Sequence, residues 1–190
     1  LYFNAPGSLS LAAFVDVGHP LSEVDRNLLE VFCSNISVAF ENTQLYQRIS
    51  DLAYKDPLLK LPNRNSFLAR IDQRSIEYDR LALVDIDGFA DINSILDQDF
   101  GDAVLQVVAN RLRRHFTPAV VVARVGSDVF GILGPQSEVT AESIINVFSL
   151  PFDVDNESFR LSATTGMVRL GETSLKAVEL LKNAGVALKQ

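Results

Sequence analysis

Two apolar runs of strand type meet at a short glycine-containing turn in the second half of the chain. Residues 120–134 read VVVARVGSDVFGILG, with Gly126 and Ser127 between the runs and Asp128 directly after them. A glycine-containing pair between β-rich runs is a strong signal of a β-hairpin. The sequence therefore predicts a hairpin whose apex carries one exposed carboxylate, beside backbone that lacks a side chain at Gly126.

A second apolar run ends in acids. Residues 81–87 read LALVDID, and the first four are continuously apolar, as expected of a central strand that is covered on both faces. Asp85 and Asp87 lie two residues apart on this strand, so their side chains point to the same face. If the tip of this strand meets the tip of the hairpin, their acids form a small site for a hard cation and a phosphate-bearing ligand. The alternative is that Asp85 and Asp87 only cap the following loop and helix.

The composition excludes several classes of protein. Of the 190 residues, 47% are hydrophobic and 22% are charged, as in ordinary globular proteins. The net charge of −7 argues against nonspecific nucleic-acid binding, because no basic stripe is available to neutralise phosphates. The single cysteine, Cys33, excludes an internal disulfide framework and fits a reducing compartment. With no apolar run near the roughly 18 residues of a membrane span and no signal peptide, we expect a cytoplasmic protein.

The N-terminal part predicts the end of one domain followed by a long helix. Residues 1–21 contain a strand at 8–15, and because a single strand cannot fold alone we expect a fragment of an upstream domain. Ser22 and Asp25 resemble a capping box that begins a helix over residues 22–54. Apolar residues then recur at steps of three and four: Leu28, Phe32, Ile36, Ala39, Phe40, Tyr46, Ile49 and Ala53.

At 1.5 Å per residue this helix is about 45 Å long, too long to be covered by one small domain. It is either a signalling rod that pairs with a second copy across a dimer seam, or a packing helix of the upstream domain. The two interpretations are compatible if each holds at one end of the helix.

Residues 55–190 predict a second domain of the α+β class. The pattern gives helices at 66–78, 99–115, 140–149 and 174–188, and strands at 81–87, within the hairpin, at 151–154 and at 158–168. Strands separated by helices, with one internal hairpin, imply a mixed central sheet flanked by helices, of the palm or ferredoxin-like kind. The long helix precedes this fold.

Three polar or small residues follow the acidic strand. Gly101 permits close backbone approach, and Asp102 can accept two hydrogen bonds from the edge of a base. Asn93 lies a few residues before them. Each is weak evidence alone, because an aspartate near a helix start is commonly a cap.

Taken in order, these motifs resemble the GGDEF family, the diguanylate cyclase fold of bacterial cyclic-di-GMP signalling, over residues 54–190. The opening DPLLKLPNR at residues 56–64 resembles D-x-L-T-x-L-P-N-R, with Leu59 in place of threonine. The segment DIDGF at 85–89 resembles D-I-D-x-F, and RVGSDVF at 124–130 resembles R-x-G-G-D-E-F. Weaker matches cover N-D-x-x-G-H-x-x-G-D at 93–102, and the last strand and helix at 162–166 and 180–188.

The resemblance implies a nucleotide site. In the family, metal carboxylates come from the first aspartate of D-I-D and from the signature turn, here Asp85 and Asp128. Two Mg²⁺ ions would bridge the GTP triphosphate and help a 3′-hydroxyl attack the α-phosphate of a second GTP across a dimer. Asn93 and Asp102 match the positions that read the guanine edge, and Gly126 supplies bare backbone for phosphate.

The departures from the family pattern fall at positions that the family uses for catalysis and nucleotide binding. Val129 replaces the signature glutamate, Ser127 replaces a glycine, and Ala90 stands where a lysine commonly follows D-I-D-x-F. Ser94, Asp97 and Gln98 replace the D, G and H of the middle motif. Each lost carboxylate or phosphate donor costs several kcal/mol of transition-state stabilisation, so two losses lower the rate by about four orders of magnitude or more.

We therefore expect no catalytic residue in the vestigial signature Gly126, Ser127, Asp128, Val129 and Phe130. The expected function is that of a degenerate GGDEF domain, a regulatory or dimerising module that binds GTP. The alternatives are a residual diguanylate cyclase that makes cyclic-di-GMP from two GTP, and a ligand-free structural spacer. The family's product-inhibition motif R-x-x-D would fall on residues 117–120 and is absent, so product feedback at that site is not expected.

The resemblance also implies partners. The first fifty residues resemble the end of a GAF-like sensory domain and its exit helix, and the N-terminal helix is expected to form a homodimer. Degenerate GGDEF domains commonly precede an EAL phosphodiesterase domain. The sequence stops before the usual A-K-x-x-G-R-N finish, so we expect further protein, such as an EAL domain, to follow.

Overall fold

The computed structural model describes residues 2–3, 11–12, 20–74, 78–155, 157–171 and 175–189. The chain divides into two compact units, residues 1–51 and 52–190. In the first unit, β1 (Tyr2–Phe3) pairs antiparallel with β2 (Leu11–Ala12). The strand predicted at residues 8–15 is described only at Leu11–Ala12, and the rest of it lies outside the described residues.

The long helix α1 (Glu23–Tyr54) begins where its capping box was predicted. Ser22 Oγ donates a hydrogen bond of 2.7 Å to Asp25 Oδ2, and the Asp25 amide donates one of 3.2 Å to Ser22 Oγ. The Ser22 amide also donates to Asp25 Oδ2 at 3.1 Å. These bonds satisfy amide groups that have no partner within the helix. In the described part of the chain, no helix combines the length and the apolar character that are needed to cross a membrane.

The second unit alternates helices and strands. Its elements are α2 (Arg64–Asp72), β3 (Arg80–Ile86), α3 (Phe89–Leu96), α4 (Gln98–His115), β4 (Val121–Arg124), β5 (Val129–Gly134), α5 (Ala141–Phe148), β6 (Phe152–Val154), β7 (Glu157–Phe159), β8 (Ala163–Arg169) and α6 (Ala177–Ala187).

The main sheet has the strand order β4-β5-β3-β8, and β6 and β7 form a separate hairpin. The predicted α+β class with helices around a central sheet is confirmed. The sheet is antiparallel at each described pairing, however, where a mixed sheet was expected. The reason is topological: β3 and β4 run in the same direction, but β5 lies between them and is antiparallel to both.

The core lies on both sides of β3. Leu81 and Leu83 face one hydrophobic cluster, to which α2 and α6 contribute. Ala82, Val84 and Ile86 face a second cluster, to which α4 and α5 contribute. A strand that is buried on both faces has no polar side, which explains its continuous apolar run and confirms the prediction for this strand.

Three details differ from the sequence-based elements. The helix predicted at residues 66–78 begins two residues earlier, at Arg64, and ends at Asp72, where the Gln73 amide donates to the carbonyls of Ala69 and Ile71. Helix α3 was not predicted, and it ends at Asp97, which has φ 90° and ψ 173°. The strand predicted at residues 158–168 is divided between β7 and β8, because the chain leaves the small hairpin and joins the main sheet at this point.

Candidate functional site

The ends of β3 and β5 bring two predicted metal carboxylates together. The Ile86 amide donates a hydrogen bond of 3.3 Å to the carbonyl of Asp128, which fixes the turn beside the tip of β3. The pKa of Asp85 is raised, first because burial disfavours its charged form, then through the charges of Asp128 and Asp87. The three acids therefore lie close enough to interact electrostatically.

Asp87 has a different set of contacts from Asp85. Its Oδ2 accepts a hydrogen bond of 2.6 Å from Ser162 Oγ, and its Oδ1 accepts one of 2.8 Å from Thr164 Oγ1. The Asp87 amide also donates to the carbonyl of Ser162 at 3.0 Å. Asp87 thus fastens the end of β3 to the start of β8. This differs from the capping of the following loop and helix that the sequence offered as the alternative, since α3, whose N-cap is Gly88, has no side-chain cap.

The turn between β4 and β5 is held by Arg124. Its Nη2 donates a hydrogen bond of 2.6 Å to the Ser127 carbonyl, and its Nε donates one of 3.2 Å to the Gly126 carbonyl. Its Nη1 forms an ion pair of 3.2 Å with Asp56 Oδ2. Arg124 and Asp56 belong to two sequence motifs that do not by themselves reveal this pairing.

The two substitutions in the signature turn have direct structural consequences. Ser127 Oγ donates a hydrogen bond of 2.6 Å to Asp128 Oδ1, so the added hydroxyl engages one oxygen of that carboxylate. Val129 is half-buried and packs against the cluster shared with α2 and α6. A Cβ added at Gly126 would come within 3.1 Å of Val129 Cβ, so the valine side chain lies directly against the turn.

Val129 is the register partner of Asp85 across the antiparallel pair. Directly opposed residues point to the same face of a sheet, with Cβ atoms about 4.5–5.5 Å apart. The position facing Asp85 across this pair therefore carries methyl groups. The glutamate of the family signature would place a carboxylate there.

The predicted guanine-reading residues lie on α3 and α4. Asn93 on α3 packs so closely on Gly101 of α4 that a Cβ added to this glycine would lie 1.8 Å from Asn93 Oδ1. Asp102 follows Gly101 and is half-buried. The N-terminus of α4 is capped by Asp97 Oδ1, which accepts a hydrogen bond of 2.9 Å from the Phe100 amide. The bare backbone at Gly101 is thus what lets the two helices approach.

The acidic strand ends offer few side chains that could bind a metal ion. Across the described ranges, no group of three His, Cys, Asp or Glu residues is arranged to hold a metal ion. Asp85 and Asp128 supply two carboxylates, while Asp87 is occupied by two hydroxyls of the Ser162–Thr164 segment. This set fits only an ion that takes its remaining ligands from water and phosphate.

A separate cleft of about 490 Å³ lies between α2, the end of α4 and β4. Its lining includes Lys60, Arg70, Arg113 and Thr117, and none of the carboxylates discussed above lines it. This cleft and the acidic strand ends are therefore different places on the second unit.

The antiparallel sheet, the flanking helices and the acidic turn define a domain of the nucleotidyl-cyclase type. The family model described as "Diguanylate cyclase, GGDEF domain" matches residues 53–190, and the chain belongs to this family. Residues 1–49 match a family described as a domain of unknown function, DUF3369. The GAF-like character of this region stays a prediction.

Similar proteins include cyclic-di-GMP enzymes. The bifunctional diguanylate cyclase/cyclic di-GMP phosphodiesterase MucR of Pseudomonas aeruginosa is 32% identical over 163 residues, which cover 80% of this chain and 23% of MucR. The cyclic di-GMP phosphodiesterase NbdA of the same organism is 28% identical, over 75% of this chain and 20% of its own length. The chain thus spans about a quarter of these relatives or less.

Solved structures share the fold. The GGDEF domain of TpbB (YfiN) from Pseudomonas aeruginosa superposes with a TM-score of 0.64 at 29% identity, over 72% of this chain and 87% of that one. The coiled coil and GGDEF domain of DgcB from Caulobacter crescentus, in complex with c-di-GMP, gives a TM-score of 0.69 at 21% identity, over 85% and 92%. The second likeness shows the fold alone.

Proposed function

We propose that this GGDEF domain has lost efficient diguanylate cyclase chemistry and acts as a regulatory, dimerising module that binds GTP. The observation that carries this proposal is the pairing of Asp85 with Val129 across the sheet. An apolar side chain at this position removes a carboxylate where the two-metal reaction needs dense negative charge. Without it, the transition state loses several kcal/mol of stabilisation.

The two remaining carboxylates suit a weakly held Mg²⁺. Magnesium usually keeps several waters and takes one or two carboxylates together with substrate phosphates, which Asp85 and Asp128 can supply. When bound, the ion would neutralise charge on the GTP phosphates. Because Ser127 Oγ donates to Asp128 Oδ1, a cation would bind Asp128 through Oδ2 or share Oδ1 with the hydroxyl.

Guanine binding rests on a different part of the domain. Asn93 and Asp102 offer an amide and a carboxylate, the groups that hydrogen-bond the edge of a base. Their helices are held together at Gly101 independently of the signature turn. The base-binding surface can therefore persist after the metal chemistry is impaired, with Gly126 as the backbone position nearest the phosphates.

The signalling context follows from the relatives. MucR is described as bifunctional and NbdA as a phosphodiesterase, and both are several times longer than the matched region. We infer that this module passes the state of an upstream sensory region, together with its own nucleotide occupancy, to a phosphodiesterase domain of the EAL type in the same protein. Such coupling requires that the two states of the module bind GTP with different affinity.

Residual diguanylate cyclase activity is the second candidate. It is favoured by the acids retained at the strand ends: burial first, and then the charges of Asp128 and Asp87, raise the pKa of Asp85. Part of the electrostatic arrangement that attracts a cation is thus retained.

Two measurements on the purified 190-residue chain separate these functions. Incubation with GTP and Mg²⁺ followed by chromatography should give no cyclic-di-GMP, and sustained turnover would refute the regulatory proposal. Calorimetry with GTP should show binding that Asp102→Ala abolishes. Asp99→Ala is the matched control, because Asp99 is an exposed acid in the first turn of the same helix. If the wild-type chain shows no heat of GTP binding, the result would instead favour a ligand-free spacer.

A further inference from the structure

The cleft between α2, the end of α4 and β4 carries an excess of positive charge. Its rim includes Lys60, Arg70 and Arg113, and all three are exposed. Among its described lining residues there is no Asp or Glu. In the described part of the chain, none of the three cations has an ion-pair partner. In a chain with a net charge of −7, three such cations around one cleft favour an anionic ligand.

The negative charge nearby is too small to cancel these cations. Arg70 and Arg113 lie in the last turns of α2 and α4, and each helix C-terminus carries about half a negative charge. Glu138 adds one more charge behind Thr117, whose hydroxyl donates to both of its carboxylate oxygens, at 2.9 and 2.8 Å. These charges offset about two of the three cations, so the cleft keeps a positive excess of about one charge.

The floor of the cleft is apolar and has few groups that recognise a nucleotide base. It includes the buried side chains of Phe116 and Val122. The hydroxyl and the amide of Thr117 are already engaged by Glu138, and Tyr78 adds one phenol group. Reading the edge of a base requires several matched donors and acceptors. An apolar side chain of a ligand therefore fits this floor better than a base does.

The cleft runs along the free edge of the main sheet. β4 is the outermost strand in the order β4-β5-β3-β8, and residues 120–122 all line the cleft. Successive side chains of a strand point to opposite faces of the sheet. Three consecutive lining residues therefore show that the cleft faces the edge of this strand rather than one of its two faces.

The backbone of Val122 points out of this edge. On the inner edge, the Val125 amide donates to the Val129 carbonyl at 2.9 Å, which continues the pairing with β5. The Arg124 amide points the other way and donates to the Pro62 carbonyl at 2.9 Å. Because successive residues of a strand alternate between its two edges, the amide and the carbonyl of Val122 also point outward. In the described part of the chain they have no backbone partner there.

We propose that this cleft binds an extended, acidic peptide segment of a protein partner, which adds as a strand to the edge of β4. Backbone hydrogen bonds to Val122 position the segment, which is the mode of recognition called β-strand addition. Alternate side chains of the segment lie on the apolar floor, and its carboxylates meet Lys60, Arg70 and Arg113 at the rim. This inference goes beyond the proposed function and does not depend on GTP binding.

The test uses the purified 190-residue chain and a fluorescein-labelled octapeptide in which glutamate alternates with valine. Fluorescence anisotropy should show saturable binding that weakens as the salt concentration rises. A peptide with lysine in place of each glutamate should bind at least about tenfold more weakly. A peptide with N-methyl groups on its four central amides keeps every side chain but loses backbone donors, and it should also bind at least about tenfold more weakly. No saturable binding of the parent peptide, or equal binding of the N-methylated one, would overturn the proposal.

Two neighbouring arginines provide matched variants. Arg113→Glu reverses a charge at the rim and should weaken binding of the parent peptide at least about tenfold. Arg114→Glu is the control, because Arg114 is exposed, follows Arg113 on α4 and is not among the described lining residues. It should change the affinity by less than about threefold. Equal losses in both variants would mean that the peptide responds to the general charge of the surface, and the site would be wrong. Circular dichroism checks that each variant is folded.

Calorimetry separates this inference from the proposed function. GTP binding should be unchanged in Arg113→Glu, because residue 113 lies about 16 Å along α4 from Asp102. If GTP or cyclic-di-GMP binds the wild type and loses at least about tenfold in affinity in Arg113→Glu, the cleft is a nucleotide site and the peptide proposal fails. If the peptide binds as expected and GTP does not bind at all, the inference stands and the GTP-binding function fails.

Discussion

Arg124 joins the signature turn to the segment that opens the second unit. Its Nη1 lies 3.2 Å from Asp56 Oδ2, and both side chains are less than a fifth exposed, at 17% and 14%. The same guanidinium donates to the carbonyls of Gly126 and Ser127. Asp56 is itself fixed, because its Oδ1 accepts hydrogen bonds from the amides of Leu58 and Leu59. One arginine thus connects two motifs that are nearly seventy residues apart.

Arg124→Ala should destabilise the second unit by about 2–3 kcal/mol, because it leaves a partly buried carboxylate and two carbonyls without their charged donor. Urea unfolding measures the loss. A double-mutant cycle with Asp56→Asn should give a coupling of at least about 1 kcal/mol. Arg114→Ala, an exposed arginine on α4, should change stability by less than about 0.5 kcal/mol. If Arg124→Ala and Arg114→Ala lowered stability equally, the role of Arg124 in joining the turn to Asp56 would be contradicted.

Gly101→Ala tests the contact between α3 and α4. The new Cβ would lie 1.8 Å from Asn93 Oδ1 and 3.4 Å from the Phe89 ring, so Asn93 must leave its position. We expect a loss of about 1–3 kcal/mol in stability and at least a tenfold loss in any GTP affinity, measured by calorimetry.

The control for this change is Gly185→Ala on α6. The nearest atom to a Cβ there is Leu83 Cδ1 at 4.0 Å, which is ordinary contact. Alanine is the better helix former, so this variant should be stabilised by up to about 1 kcal/mol. Unchanged GTP binding in Gly101→Ala would show that Asn93 does not contact the nucleotide.

The sequence predicted the elements whose signals are local. The apolar run of β3, the hairpin around Gly126 and the capping box at Ser22 and Asp25 are each defined by neighbouring residues, and each is present. The strand pattern left the approach of Asp128 to Asp85 as a condition, and it was the resemblance to the GGDEF family that implied it.

Other features of the structure depend on contacts between residues that are far apart in the sequence, and the sequence did not predict them. The break between α3 and α4 has neither glycine nor proline, and the chain turns there at Asp97, which has positive φ. The division of β7 from β8 falls where Ser162 contacts Asp87, a partner 75 residues away. The pairing of Arg124 with Asp56 likewise spans 68 residues. Nothing in the local pattern reports such contacts.

Asp97 should be replaceable with a gain in stability. Its φ of 90° and ψ of 173° fall in a region that is essentially restricted to glycine and costs about 1–3 kcal/mol for other residues. Asp97→Gly removes this strain, and glycine is only a few tenths of a kcal/mol poorer as a helix cap. We expect a net gain of about 1 kcal/mol in urea unfolding. Asp97→Ala, which keeps the strain and loses the bond to the Phe100 amide, should be destabilised. If both variants are less stable than the wild type, the hydrogen bond from the Phe100 amide to Asp97 contributes more to stability than the backbone strain costs.

Restoring the acid at position 129 tests why the chemistry is impaired. Val129→Glu places a carboxylate opposite Asp85, so Mg²⁺ should bind about tenfold more tightly in the presence of GTP. The same change removes apolar packing from the cluster near α2 and should lower stability by about 1–2 kcal/mol. Calorimetry and urea unfolding measure the two effects. Val129→Gln is the control, since it has the same size without the charge and should not improve Mg²⁺ binding.

Asp85 should make the fold less stable at neutral pH in the absence of a cation. Its pKa is raised by burial and by Asp128 and Asp87, so the folded state favours the protonated form. Below the ordinary pKa of 3.8 the group is protonated in both states and has no effect. As the pH rises through the ordinary and then the raised pKa, the unfolded state ionises more readily and stability falls.

Asp85→Asn should therefore raise the melting temperature at pH 7 in buffer with a chelator, and leave it nearly unchanged near pH 3. The gain should be below about 1 kcal/mol, since solvent screens this partly exposed site. Adding Mg²⁺ should make the wild type melt at the higher temperature. The cation stabilises ionised Asp85 in the wild type, and it has one ligand fewer in the variant. Thermal melts at both pH values, with and without Mg²⁺, measure these differences. If the wild type is instead more stable than Asp85→Asn at pH 7 in chelator, hydrogen-bond donors within the fold compensate the charge of the Asp85 carboxylate.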